Sequence, residues 1–175
     1  MTFQIQRTIG IDAGHRIPTH GSKCKNVHGH RYTIEAHCTA EETIKGGGQS
    51  GMLLDFGFLK DEMMAQIDFY CDHGFIIWVE DELLVLFLGS AARAAEVRNH
   101  VDRGGNFMPW LLGEGDTAMG KLYVVDFIPT AENLAKHWYD LLSSRVSFRS
   151  GNAAKLHKIV VHETPKCSAE YCNAS

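Results

Sequence analysis

The sequence predicts an α+β fold, an antiparallel sheet with its helices on one face. Three observations carry that expectation. Apolar and polar residues alternate over 3–13 and 30–40, the period of a half-buried strand. Apolar residues recur at helical spacing over 56–67 and 134–142. No dinucleotide or Walker glycine signature marks a parallel nucleotide-binding sheet.

With 175 residues, 45% of them hydrophobic and 22% charged, the chain reads as one globular domain whose core needs no disulfide. A formal net charge of −4 gives no electrostatic reason to expect nucleic acid or an anionic membrane as partner. Residues Met1 to Arg7 lack the apolar core of a signal peptide, and the run Leu83 to Leu88 is too short to span a bilayer. The 5 cysteines show no paired spacing, so free thiols in a reducing cytoplasm are expected.

Along the chain, Phe3, Ile5, Ile9 and Ile11 predict the first strand, and Pro18, Gly21 and Asn26 make 16–27 a loop. Tyr32, Ile34, Ala36 and Cys38 share one face of a second strand, so Cys38 is expected as a core thiol. Gly46 to Gly51 is a turn without the Lys-Ser/Thr of a phosphate loop. Met52 to Phe56 reads as a short strand entering a helix capped by Asp55, with Phe56, Leu59, Met63 and Ile67 facing the core. A strand at 75–79 and a helix at 81–97 follow, the latter with Leu84, Leu88, Ala91, Ala92 and Ala95 in phase and Gly89 against it. Residues 98–121 are glycine-rich and read as an irregular excursion, followed by a strand at 123–128. Thr130 is the expected N-cap of a helix burying Leu134, Trp138, Leu141 and Leu142. After a polar break at 145–152 comes a last strand at 156–162, with Glu163 at its end.

The chemistry concentrates between His15 and His30. Residues two apart on a strand point the same way, so His28 and His30 present their imidazoles side by side. A chain reversal between Ile17 and Val27 brings His15 to the neighbouring strand end. A single His-x-His is more often packing or surface than a ligand pair. Here Gly29 permits close backbone approach, and a third histidine and Cys24 lie within one loop's reach. Three neutral imidazoles leaving one position open make a catalytic rather than a structural zinc site. Cys24 is then either the fourth ligand or a thiol beside the metal that moves protons. Asp72 and His73 are either an acid–imidazole relay or a capped turn. Glu163 is either a solvated strand end or a carboxylate that grips an amidine-like ring edge. Cys71, Cys167, Cys172, His20, His37, His100, His137 and His157 are assigned to packing or surface.

These pieces fall into a known order. Ala13-Gly14-His15-Arg16, Cys24 to His30, Leu54-Asp55-Phe56, Asp72-His73, Pro129 to Ala135, and His162-Glu163-Thr164-Pro165 with Ala169-Glu170-Tyr171 cover most of the chain. The chain resembles the 6-pyruvoyl-tetrahydropterin synthase family. The gap of three residues between Cys24 and His28 is similar to that of its bacterial branch, the 6-carboxy-tetrahydropterin synthases. The resemblance implies a tunnelling fold: a four-stranded antiparallel sheet with helices outside, closed as a barrel in a trimer, two trimers forming a hexamer. It implies zinc on His15, His28 and His30, Cys24 as catalytic base, and Asp72 with His73 as a relay that can serve a neighbour's zinc. Glu163 would anchor the pterin, with Thr130 and Glu132 lining the same pocket at a subunit interface. The implied substrate is 7,8-dihydroneopterin triphosphate. The implied products are 6-carboxytetrahydropterin, acetaldehyde and triphosphate, in queuosine biosynthesis. A pyruvoyl product, an aldolase-like cleavage and a non-catalytic pterin-binding oligomer are the alternatives. Arg16, Lys23 and Lys25 are candidates for the triphosphate or ordinary surface charges. The chain departs from the compact family core by an insertion at about 80–121 and by the apolar Gly74-Phe75-Ile76-Ile77 after the relay.

Overall fold

The computed structural model describes residues 2–102, 110–112 and 120–173, and they form an α+β structure. The chain divides into two compact units. One holds Met1–Ile11, Arg31–Phe69 and Ala131–Ser175; the other holds Asp12–His30 and Tyr70–Thr130. The long strands β1 (Phe3–His15) and β2 (His28–Ala40) contribute to both.

In the first unit the strand order is β1-β2-β6-β7, where β6 is Lys155–Thr164 and β7 is Cys167–Cys172. The β2–β6 and β6–β7 pairs are antiparallel. Tyr32, Ile34, Ala36 and Cys38 are all fully buried, as their alternation predicts, and burial pushes the Cys38 thiol up to about 12. The other face of β2 is polar. The Glu35 carboxylate accepts hydrogen bonds from His37 and His162, each at 2.9 Å, which makes His37 part of a network rather than simple packing. Helix α5 (Ala131–Arg149) buries Leu134, Trp138 and Leu142, and the Tyr139 hydroxyl donates to the Leu156 carbonyl at 3.1 Å.

Helix α1 (Phe56–Met63) begins as predicted, with the Asp55 side chain accepting from the Gly57 N–H at 2.6 Å. Leu59, Met63, Ile67 and Cys71 then recur every four residues, and all are fully buried. An α-helix of about 3.6 residues per turn drifts against a four-residue repeat. The wider π turns over Met64–Asp68 take up that drift before the last turn, α2 (Phe69–Cys71). Phe56, expected in the core, is instead 52% exposed, because it is the first helical residue, ahead of the buried repeat. Met52 to Phe56 forms no strand; Leu53 and Leu54 are buried through a bend.

In the second unit β3 (Gly74–Trp78) pairs in parallel with β5 (Leu122–Val125) and with the end of β1, while β4 (Trp110–Leu112) is antiparallel to β5. The four-stranded antiparallel expectation is therefore corrected to seven strands, among the described residues, in a mixed arrangement. The reason is visible in β5, whose residues are all fully buried. Strands covered on both faces are typical of parallel pairing, and a crossover through helices permits it. The predicted helix at 81–97 is two helices, α3 (Leu83–Leu88) and α4 (Ala91–Asp102), parted by Gly89 at φ +66°. The break resets the helical phase, so Ala94 and Val97 are buried where Ala91, Ala92 and Ala95 were expected. The irregular reading of 98–121 is corrected where α4 runs on to Asp102 and where β4 forms; 103–109 and 113–119 lie outside the described residues. No helix among the described residues is long and apolar enough to cross a membrane.

Candidate metal centre

Strand phase assembles three imidazoles. Along β1 the buried positions are Ile9, Ile11, Ala13 and His15; along β2, His28 and His30 fall in step with Tyr32 and Ile34. The ring centroids of His15 lie 4.6 Å from His28 and 5.3 Å from His30, and those of His28 and His30 are 5.1 Å apart. One ligand atom from each ring forms a group within 4.8 Å of one another. Glycine allows this closeness. A Cβ on Gly29 would meet the Ala13 carbonyl oxygen at 3.0 Å, and one on Gly14 would lie 2.6 Å from the Phe75 ring.

The rings are held from behind. His15 Nδ1 donates to the Pro129 carbonyl at 2.8 Å, and His28 Nδ1 donates to the Asn26 carbonyl at 2.7 Å. A carbonyl only accepts, so both bonds place the hydrogen on Nδ1 and the lone pair on Nε2. Metal-binding histidines are commonly oriented in this way. Burial lowers the pKa of His15; the Pro129 bond opposes this, the other two imidazoles add to it, and the result is about 4. His15 is therefore neutral, as a ligand must be. A set of three imidazole donors fits zinc, which takes histidine nitrogen as a ligand.

Cys24 sits half-buried on a single 3₁₀ turn, Lys23–Lys25, and its carbonyl accepts the Ile17 N–H at 2.8 Å. The metal group is made by histidines alone. Lys23 and Lys25 are exposed on the same turn. The Arg16 guanidinium forks onto Asp81 with two bonds of 2.7 Å. Sequence reading missed Asp81 because an acid before an apolar helix looks like an ordinary helix start.

Asp72 and His73 are both a turn and a pair. Asp72 Oδ2 accepts from His73 Nδ1 at 2.7 Å, and its Oδ1 accepts from the Asp12 N–H at 2.8 Å. Burial pushes the Asp72 carboxyl up. The Asp12 N–H, the His73 ring and Lys121 outweigh it and hold the group below its ordinary value. His73 takes φ +53°, a left-handed conformation costing a non-glycine residue about 1–2 kcal/mol. Its N–H bond to the Asp12 carbonyl at 2.7 Å and its bond to Asp72 secure it there. The hydrogen bond to Asp72, and then that carboxylate's charge, raise the His73 pKa above the usual 6.5. The stabilisation is complete below the ordinary imidazole pKa and is lost as pH rises through the raised one. In Asp72→Asn the His73 ring should lose its proton at a lower pH than in the native chain, read by NMR titration of the ring. An unchanged titration refutes the coupling.

Thr130 follows the carbonyl that holds His15, and its N–H donates to the Ile128 carbonyl at 2.8 Å. Glu132 is exposed in the first turn of α5, and Glu163 is half-buried at a register shift in β6 between His162 and Thr164. Both belong to the first unit, whereas the histidines, Cys24, Asp72, His73 and Thr130 belong to the second. The Pro129 carbonyl was also missed by sequence reading, since a backbone acceptor carries no side-chain signature.

An α+β chain that gathers three imidazoles able to hold a metal on two strand ends is the class of protein the fold and site define. The family model described as 6-pyruvoyl tetrahydropterin synthase matches residues 4–174, and the chain belongs to that family. It is 30% identical over 164 residues to the 6-carboxy-5,6,7,8-tetrahydropterin synthase of Rickettsia felis, covering 94% of this chain and 96% of that one. Against the protein of the same name from Aquifex aeolicus it is 30% identical over 188 residues, with 98% of each chain covered. Among solved structures, an uncharacterized protein from Wolinella succinogenes has a TM-score of 0.73 at 24% identity, with 99% of each chain covered. The 6-pyruvoyl tetrahydropterin synthase of Caenorhabditis elegans has a TM-score of 0.58 at 21% identity, covering 99% of this chain and 97% of that one. These two likenesses establish the shared fold.

Proposed function

We propose that the protein is a zinc-dependent 6-carboxy-5,6,7,8-tetrahydropterin synthase, a carbon–carbon lyase that converts 7,8-dihydroneopterin triphosphate and one water to 6-carboxytetrahydropterin, acetaldehyde and triphosphate. The observation that carries this reading is the three-histidine group, in a chain whose full-length relatives bear that name. His15, His28 and His30 would hold the zinc, which would supply Lewis acidity at the side-chain oxygens of the substrate and so acidify the adjacent C–H bonds.

Cys24 removes a proton at Sγ. His73 delivers one from Nε2, because its Nδ1 is committed to Asp72. Glu163 accepts two N–H bonds from the pterin ring edge, and Thr130 and Glu132 line the same pocket. The 175 residues act as one domain of this type, with 80–121 as an insertion. Subunits assemble as a dimer of trimers with sites at the interfaces, so that Asp72 and His73 serve a neighbour's metal. The enzyme works in the cytoplasm and feeds queuosine biosynthesis.

Mass spectrometry of products after incubating zinc-loaded protein with 7,8-dihydroneopterin triphosphate tests the reading. Acetaldehyde and 6-carboxytetrahydropterin are expected. A pyruvoyl or aldolase-type product would move the protein to another reaction on the same site, and pterin binding without turnover would overturn the lyase assignment.

A further inference from the structure

We propose that Asp81 is a positioning residue for the turn that carries Cys24, acting through Arg16, so that the turn opening α3 takes part in the site. The proposal builds on the catalytic role given to Cys24 above.

Asp81 is 1% exposed. Its Oδ2 accepts from Arg16 Nε and its Oδ1 from Arg16 Nη2, both at 2.7 Å. The carboxylate is fixed from its own side as well, where Oδ1 accepts the Leu83 N–H at 2.8 Å. Its backbone is bonded to Trp78 at 2.9 Å and to Leu84 at 3.0 Å, so the turn that opens α3 is the rigid end of the device.

From Arg16 two links run into the Cys24 turn. Arg16 Nη1 reaches the Lys25 carbonyl at 3.4 Å, a long bond. The next residue, Ile17, donates its N–H to the Cys24 carbonyl at 2.8 Å. On its other side Arg16 adjoins His15. The fork therefore sets the course of the chain between a metal-binding imidazole and the thiol. Its bidentate geometry fixes an orientation as well as a distance. Removing one partner leaves the other charge poorly satisfied in a buried place. Lysine keeps the charge but not the fork. Glu82 also meets Arg16, at 3.1 Å, but its side chain is 82% exposed and contributes little.

The test uses the full zinc-loaded chain with Asp81→Asn, Arg16→Lys and, as control, Glu82→Gln. Each is alkylated with iodoacetamide, and every cysteine is followed by peptide mass spectrometry. The buried Cys38 and Cys71 report general loosening of the fold. Asp81→Asn and Arg16→Lys should change the alkylation rate of Cys24 by about threefold or more while Cys38 and Cys71 stay protected. Turnover of 7,8-dihydroneopterin triphosphate should show kcat lower by about tenfold to a hundredfold with KM nearly unchanged, as misplacement of a reacting group does. Glu82→Gln should match the native chain in both assays. An unchanged Cys24 rate, or a parallel rise at Cys38 and Cys71, overturns the proposal. The alkylation arm needs no turnover. A native chain that is inactive on this substrate would therefore sink the proposed function and leave the positioning role decided by thiol reactivity alone.

Discussion

In His30→Ala, metal binding should weaken by well over about 10²-fold and metal-dependent turnover should vanish. Disturbing only the groups behind a ligand already costs about 10–100-fold in affinity or activity. Deleting a ligand from a set of three leaves two nitrogens for an ion that prefers four partners. His30 is chosen because it shares the β2 face with Tyr32 and Ile34, so alanine keeps the strand's alternation. Chelator competition measures the affinity. Treating the native chain with chelator should abolish turnover, and added zinc should restore it; the variant should not recover. A variant that still binds one equivalent of zinc as tightly as the native chain would remove His30 from the ligand set.

Cys24→Ala should lower kcat by about 10²–10⁴-fold, the usual scale of a lost general acid or base, while zinc stays bound. Retention of zinc is the informative half. The group that could hold a metal consists of three imidazoles, and Cys24 stands on a separate turn tied to Ile17. If Cys24 were a fourth ligand, zinc affinity and kcat would fall together. Turnover at the native rate would end its role as the base.

Much of the site was legible in order of residues because strand geometry is local. A period of two puts His28 and His30 on one face with Tyr32 and Ile34, whatever else the chain does. Asp55 capping α1 and the burial of Leu59, Met63 and Ile67 were legible for the same kind of reason. Phe56 was misjudged because periodicity marks a face but not where burial along that face begins. The strand β7 was missed because Cys-Ser-Ala-Glu-Tyr-Cys has little apolar contrast; its pairing to β6 makes it a strand. Gly89 shows an intermediate case. The residue was visible as a helix breaker, but only the fold shows that it ends one helix and resets the phase of the next.

The sequence by itself determined the α+β class, the three imidazoles with His28 and His30 on one strand face, and the motif order that belongs to the 6-pyruvoyl tetrahydropterin synthase family. All of these depend on residues close together in the chain or on fixed periods. The tertiary structure alone decided what holds those residues. The Pro129 carbonyl that sets the His15 tautomer lies 114 positions away, and Asp81, which claims Arg16, lies 65 away. Parallel pairing of β3 with β5 and the left-handed His73 backbone belong to the same group. Such partnerships are chosen by packing between distant segments, and no local pattern of residue types encodes which distant group arrives.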